Sequence, residues 1–154
     1  MAMHTWFECK IRYEKTMENG MNKKVTEPYL VDALSFTEAE ARIIEEITPI
    51  ISGEFTVADI KRANYSELFP CDEEAADRWF KCKLVFITLD EKSGAEKKTS
   101  TQVLVQADDL RDAVKKLDEG MKGTMADYQI ASVAETPLMD VYPYSVEPDD
   151  KPEV

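Results

Sequence analysis

The feature that most constrains the fold of this chain is an internal repeat. Residues 6–13, WFECKIRY, recur 73 residues later as WFKCKLVF at 79–86. Four further matches stay in the same order, pairing 23–24 with 97–98, 29–33 with 103–107, 55–58 with 128–131 and 68–70 with 141–143. The spacing changes by a single residue before each first turn and changes back after the helix. The sequence therefore predicts a tandem duplication.

Each copy has the pattern of a β-β-α-β unit. Phe7, Cys9 and Ile11 alternate with polar positions, which is the period of a half-buried strand. Asn19 and Gly20 predict a type I′ hairpin turn before a second strand at 23–33, or 97–107 in the second copy.

An amphipathic helix follows the second strand of each copy. Ser35 and Glu38 form a capping-box pattern, and Asp108 or Asp109 is the predicted cap in the second copy. The apolar stripes are Phe36, Ala39, Ile43, Ile44 and Ile47, and Leu110, Ala113, Val114, Leu117 and Met121. Residues 55–62 alone are ambiguous, but 128–135 alternate, so a third strand is predicted in both copies.

The predicted fold class is α+β. One hairpin and one helix bury too little apolar surface alone, so the two repeats are expected to share one core in a pseudo-twofold single domain. That domain would have about six mainly antiparallel strands and two helices. The predicted segments are a first repeat at 5–70, an acidic linker at 71–77, a second repeat at 78–143 and an acidic, disordered tail at 144–154.

The charge and hydropathy exclude several classes of protein. The formal net charge of −12 argues against bulk electrostatic binding to duplex DNA or an anionic membrane. No apolar run approaches the ~18 residues of a membrane span, so no membrane association is expected. The N-terminal residues lack the features of a signal peptide, and we expect a cytoplasmic protein.

No recognisable catalytic, metal or cofactor site emerges from the sequence. Cys9, Cys71 and Cys82 form no C-x-x-C pair, so they are expected to be reduced thiols without a metal. The five glycines form no phosphate-binding loop, and the one histidine is His4. We therefore predict no catalytic residues, no cofactor and no enzyme activity.

One constellation has the composition of a ligand-binding face. A tryptophan and several cations lie on the first two strands of each copy, which resembles the stacking and charge of single-strand binders. The candidate residues are Trp6, Lys10, Arg12, Lys23, Lys24, Trp79, Lys81, Lys83, Lys97 and Lys98. The alternative interpretation is that the tryptophans pack inside and the lysines line a solvated strand.

Four phrases resemble a known family. Residues 6–15, 25–33, 58–65 and 121–128 are similar to domain-of-unknown-function family 4494, and the resemblance covers about residues 5–143. It implies a small protein of Bacteroidetes bacteria, their phages and mobile elements, and it implies no activity and no site residue.

Three functions remain open on the sequence alone. The first is a non-enzymatic binding or assembly module whose partner is a protein or a second copy of the chain. The alternative is a single-stranded nucleic-acid-binding protein that uses the tryptophan–lysine face. The third is an enzyme, which would need a deep pocket with clustered carboxylates.

Overall fold

The computed structural model describes residues 5–124 and 127–143. The elements are β1 Trp6–Thr16, β2 Asn22–Asp32, α1 Phe36–Ile47, β3 Phe55–Ala63, β4 Glu67–Phe69, β5 Arg78–Leu89, β6 Glu96–Ala107, α2 Leu110–Gly120, β7 Asp127–Glu135 and β8 Asp140–Tyr142. The α+β class with two helices is confirmed. The predicted count of six strands is wrong, because the described residues contain eight. His4 and the predicted tail at 144–154 lie outside the described residues.

The strands form two four-stranded sheets, with the orders β3-β1-β2-β8 and β4-β6-β5-β7. The chain divides into two compact units, whereas the sequence predicts one domain. Unit 1 contains the residues up to Ala63 and those from Leu138 onward, and unit 2 contains Asn64–Pro137. Each unit has its own hydrophobic cluster between its sheet and its helix, so the predicted single shared core is replaced by two clusters.

The two strands that the sequence did not predict are the shortest. β8 follows β7 in the chain but pairs in parallel with β2, and β4 follows β3 but pairs in parallel with β6. Each has three residues, which is too short for an alternating pattern to be recognised. The matched segments 68–70 and 141–143 overlap these two strands.

The longer strands pair antiparallel in equivalent registers. Phe7 lies opposite Val31 in unit 1, and Phe80 lies opposite Val105 in unit 2. The third strands, β3 and β7, are confirmed, and their pairing with β1 and β5 shifts register after Lys10 and after Lys83. This shift is a β-bulge that the sequence pattern did not reveal.

The hairpin connections differ from the predicted type I′ turn. Gly20 has φ +85°, but no described residue other than glycine has a positive φ, so Asn19 lacks the required conformation. Instead, the Gly20 N–H donates to Met17 O and the Met17 N–H donates to Met21 O, enclosing a loop that ends in a left-handed glycine. The second hairpin closes from Asp90 to Ala95 and is one residue longer, which explains the change in repeat spacing.

Both helices begin where the capping signals predict. The Ser35 side chain accepts a hydrogen bond from the Glu38 N–H, and Asp109 accepts one from the Asp112 N–H. Only part of each predicted apolar stripe is buried. Phe36 and Leu110, at the first helical position, are 47% and 51% exposed. Neither helix in the described part of the chain has the length and apolar character needed to cross a membrane.

Each core contains one buried cysteine at the same position of its first strand. Burial is the largest cause that raises the pKa of Cys9 from 9.0 to about 12, and burial raises the pKa of Cys82 to about 11. Both folded-state pKa values lie above the unfolded value. The stability that these protonated thiols contribute is therefore present below about pH 9 and lost as the pH rises above it.

We expect a thiol reagent at pH 8 to modify Cys71 in the native protein and to reach Cys9 and Cys82 only on unfolding. Cys71 is partly exposed, whereas the other two are buried. Mass spectrometry of protein labelled in increasing urea would then report the unfolding of unit 1 through Cys9 and of unit 2 through Cys82. Rapid labelling of either buried thiol without denaturant would contradict the packing of its core.

Candidate binding surfaces

The two tryptophans of the predicted binding face are buried. Trp6 is 4% exposed and Trp79 is 5% exposed. Base stacking requires one face of the indole ring to be accessible to the ligand. Their burial disfavours the stacking interpretation and favours the alternative, in which the tryptophans pack inside the protein.

The paired lysines lie on opposite faces of their sheets. Lys23 pairs with Lys15, on the face that carries the core and the helix, whereas Lys24 pairs with Glu14 on the other face, here named the far face. Lys97 and Lys98 divide in the same way, opposite Thr88 and Ile87. Neighbouring strand residues alternate between faces, so a single face cannot present both members of either pair.

The remaining candidates share the far faces but are spread along the strands. In unit 1 these are Trp6, Lys10, Arg12 and Lys24, and in unit 2 they are Trp79, Lys81, Lys83 and Lys98. Trp6 and Glu14, which opposes Lys24, are separated by eight strand positions, or about 26 Å at ~3.3 Å per residue. Trp6 and Lys24 therefore do not form one site the size of a base.

A groove of about 580 Å³ brings two of the predicted residues, Arg12 and Lys24, together at the hairpin end of unit 1. Its lining consists of Arg12, Tyr13, Glu14, Thr16, Asn22, Lys24, Ser52, Gly53, Glu54, Phe55 and Thr56. Two cations and two carboxylates balance its charge, and Arg12 Nε lies 3.5 Å from Thr26 Oγ1. The sequence did not predict this groove, because it depends on residues 52–56 reaching the β1–β2 hairpin.

A cluster of tyrosines surrounds a partly buried carboxylate on the helix side of unit 1. Tyr13 Oη donates to Glu27 Oε1 at 3.0 Å, and Tyr29 Oη lies 3.5 Å from the same oxygen. Lys15 Nζ is 3.9 Å from Glu27 Oε2, and the Glu27 side chain is 14% exposed. Tyr29 also stacks on Tyr142, with ring centroids 6.1 Å apart.

The phenols of this cluster are held in their protonated form. Burial is the largest cause that raises the pKa of Tyr29 well above its usual range, and the Glu27 carboxylate adds to it. Burial, with Asp140 and Glu46, raises the pKa of Tyr142 to about 12. The Tyr142 hydroxyl is buried without a hydrogen-bond partner among the described residues. These phenols do not supply a phenolate at neutral pH.

The same positions of unit 2 have no comparable cluster. The equivalents of Tyr13, Glu27, Tyr29 and Tyr142 are Phe86, Thr101, Val103 and Phe69. Three of the four are apolar, and Phe69 and Phe86 pack against the unit 2 core. A position-by-position comparison of the repeats is the sequence signal that identifies this difference.

One cationic side chain on each helix contacts the segment that follows the short strand of the same unit, β8 in unit 1 and β4 in unit 2. Lys116 Nζ lies 2.8 Å from Asp112 Oδ2 and 3.0 Å from Glu73 Oε1, inside the predicted acidic linker. The hydrogen bond with Asp112 is the main cause that raises the pKa of Lys116, and the same bond lowers the pKa of Asp112. In unit 1, Arg42 donates to the carbonyl of Pro143 at 3.3 Å. These contacts have a structural role.

The longest unpaired backbone belongs to β3 and β7. Each has nine residues without proline and is the outermost strand of its sheet. Within residues 5–124 and 127–143, no backbone hydrogen bond joins the outer edge of either strand to another segment. Each carries a bulge, at Ala58 or Ala131. The charged residues are Asp59, Lys61 and Arg62 on β3, and Asp127 and Glu135 on β7.

Comparison with known proteins identifies a family. A family model described as "Domain of unknown function (DUF4494)" matches residues 5–144. No curated protein and no solved structure matches the chain.

Replacement of the Tyr142 hydroxyl provides a test of the tyrosine cluster. We expect Tyr142→Phe to stabilise the protein by about 1 kcal/mol, because a buried hydroxyl without a partner costs about 1–3 kcal/mol. Tyr13→Phe is the matched control and should destabilise by about 1 kcal/mol, since it removes the hydrogen bond to Glu27. Urea unfolding measures both changes, and destabilisation by Tyr142→Phe would contradict the geometry.

The burial of the indoles predicts weak quenching of tryptophan fluorescence. We expect acrylamide to quench the emission several-fold less than that of free tryptophan, because both rings are 5% exposed or less. A labelled single-stranded oligonucleotide, titrated at low and moderate salt, should leave the emission unchanged. Saturable, salt-sensitive quenching would instead restore the stacking hypothesis.

Proposed function

The chain belongs to the DUF4494 family, and from its geometry we propose that it is a non-enzymatic binding or assembly module whose partner is a protein. The observation that carries this proposal is the pair of unpaired outer edges on β3 and β7. Each presents nine residues of strand backbone on which a partner strand can form hydrogen bonds.

The edges have features that restrict which partner can pair with them. A bulge interrupts the pleat in the middle of each strand, which prevents indiscriminate pairing with any flat strand. Charged side chains on β3 and β7 further discourage aggregation. A partner must therefore match both the bulge and the charges, which is the requirement for a specific interaction.

The titratable groups support a binding function over catalysis. The thiols of Cys9 and Cys82 and the phenols of Tyr29 and Tyr142 all have raised pKa values, so they stay protonated and weakly nucleophilic at neutral pH. In the Arg12–Lys24 groove, the two cations are balanced by Glu14 and Glu54.

We further propose that the two units arose by tandem duplication. The proposal is supported by the equivalent strand registers, by the bulges after Lys10 and Lys83, and by the reciprocal placement of β4 and β8. The pseudo-twofold relation, the cytoplasmic location and the association with Bacteroidetes phages and mobile elements stay predictions from the sequence.

Site-specific photo-crosslinking tests the binding function. A benzophenone side chain would replace Thr56 on β3, its equivalent Gln129 on β7, or Glu45 on the exposed side of α1 as the control. Irradiation in cells should yield discrete protein adducts from one or both edge positions and none from position 45. Mapping by mass spectrometry should place the adduct on an extended segment of the partner.

Two results would contradict the proposal. One is the absence of any protein adduct from both edges at wild-type expression. The other is equal adduct formation from position 45, which would indicate nonspecific contact.

A further inference from the structure

We infer that the outer edge of β3 is self-complementary and that it docks a second copy of this chain about a two-fold axis. The unit 1 sheet of one copy would join the unit 1 sheet of the other copy, with the two β3 strands antiparallel. This inference rests on the proposed binding function and names its partner. Two-fold dimers are the commonest symmetric assemblies of soluble proteins.

The bulge of β3 determines the register of this pairing. On the helix side of β3 lie Phe55 and Val57 before the bulge and Ile60 and Arg62 after it, opposite Tyr13, Ile11, Cys9 and Phe7 of β1. A two-fold axis between Ala58 and Asp59 places Val57 opposite Ile60 of the second copy. The same axis places Phe55 opposite Arg62 of the second copy. In this register, helix-side residues of one copy lie opposite helix-side residues of the other, both before and after the bulge. A shift of one residue would place helix-side residues opposite far-side residues.

The helix-side pairs have complementary chemistry. Phe55, Val57 and Ile60 are half-buried at the edge and pack against the unit 1 core, so an added strand would cover their remaining apolar surface. The Arg62 guanidinium already lies over the rings of Phe7 and Phe36, at 5.7 and 5.9 Å. In the pairing it meets a third aromatic ring, Phe55 of the second copy, in the same cation–π mode.

The charges toward the ends of the far side are complementary, whereas at the axis Asp59 of each copy lies next to Asp59 of the other copy, with Lys10 of its own β1 opposite it. Glu54 precedes β3, and Lys61 lies near its other end. Both are exposed, and neither has an ion-pair partner within 4 Å among the described residues. Antiparallel pairing makes Glu54 of each copy a diagonal neighbour of Lys61 of the other, at a Cα separation of about 7–8 Å that long side chains can bridge. The symmetry produces this pair twice.

The edge of β7 lacks this complementarity. Its charged residues, Asp127 and Glu135, are both acidic, and the equivalents of Lys61 and Arg62 are Ala134 and Glu135. A two-fold pairing of β7 would bring Asp127 of one copy beside Glu135 of the other, and the cation next to these carboxylates is Arg78 of β5, whose Nη1 lies 3.8 Å from Glu135 Oε1. The charge pattern therefore selects β3 for self-association.

Analytical ultracentrifugation of the full chain tests the inference through a charge exchange. Each copy carries a net charge of −12, so the measurement is made at about 0.15 M salt, where screening acts beyond about 8 Å. We expect the wild type to dimerise and Glu54→Lys or Lys61→Glu to weaken the dimer at least about tenfold, because each places like charges at both symmetric contacts. The double variant, Glu54→Lys with Lys61→Glu, should recover most of the affinity.

Asp127→Lys is the matched control, because it makes the same charge change at the equivalent position of the β7 edge. Its dimer affinity should equal that of the wild type, and urea unfolding of every variant checks that the fold is retained. Hydrogen exchange should show concentration-dependent protection of residues 55–63 and not of residues 127–135.

Three outcomes overturn the inference: a wild type that stays monomeric, a dimer insensitive to the charge changes, and weakening by Asp127→Lys equal to that by Glu54→Lys. A monomer whose Thr56 position still crosslinks to a different protein overturns self-association alone and leaves the proposed binding function standing. A monomer with no crosslink from either edge overturns both.

Discussion

The structure depends on the completion of each sheet by a three-residue strand from a distant part of the sequence. β8 follows β7 in the chain and pairs with β2 of unit 1, and β4 follows β3 and pairs with β6 of unit 2. Leu30 and Leu104, which pair in register with Val141 of β8 and Leu68 of β4, are 0% exposed. A strand of three residues forms few hydrogen bonds. Additional contacts hold the chain just beyond each short strand: Arg42 donates to Pro143 after β8, and Lys116 pairs with Glu73 after β4. Completion of each sheet therefore depends on residues that are far apart in the sequence, and it is sensitive to changes in either half of the chain.

The parts of the fold that the sequence predicted are those with a local capping signal or a periodic hydrophobic pattern. Ser35 and Asp109 cap their helices because a short polar side chain satisfies the first free backbone N–H groups, and the strands around Cys9 and Cys82 alternate clearly. The short strands and the bulges at Ala58 and Ala131 carry no such period and depend on tertiary pairing. The type I′ turn predicted from Asn19-Gly20 is wrong for a different reason. The same dipeptide also fits a loop in which only the glycine is left-handed.

The residue types of the candidate binding face do not determine whether its tryptophans are exposed or buried. Trp6 and Trp79 have the same sequence context in an exposed stacking platform and in a packed interior, and only burial distinguishes the two. The division of Lys23 from Lys24, in contrast, follows from strand alternation alone and was accessible from the sequence. The Arg12–Lys24 groove forms because residues 52–56 lie against the β1–β2 hairpin, a contact that no local sequence pattern predicts.

Differences between matched positions of the two units are informative, because the packing that both units need is already provided by the residues that they share. Unit 1 has a Glu27–tyrosine cluster where unit 2 has three apolar residues and a threonine. Its edge strand has Lys61 and Arg62 where unit 2 has Ala134 and Glu135. The edge difference bears directly on association. In the proposed dimer, an edge strand with both signs of charge and a central bulge pairs with its own copy in a single register, whereas the charged residues on β7 itself are both acidic. The self-association that we infer for β3 therefore depends on side chains by which the two edges differ.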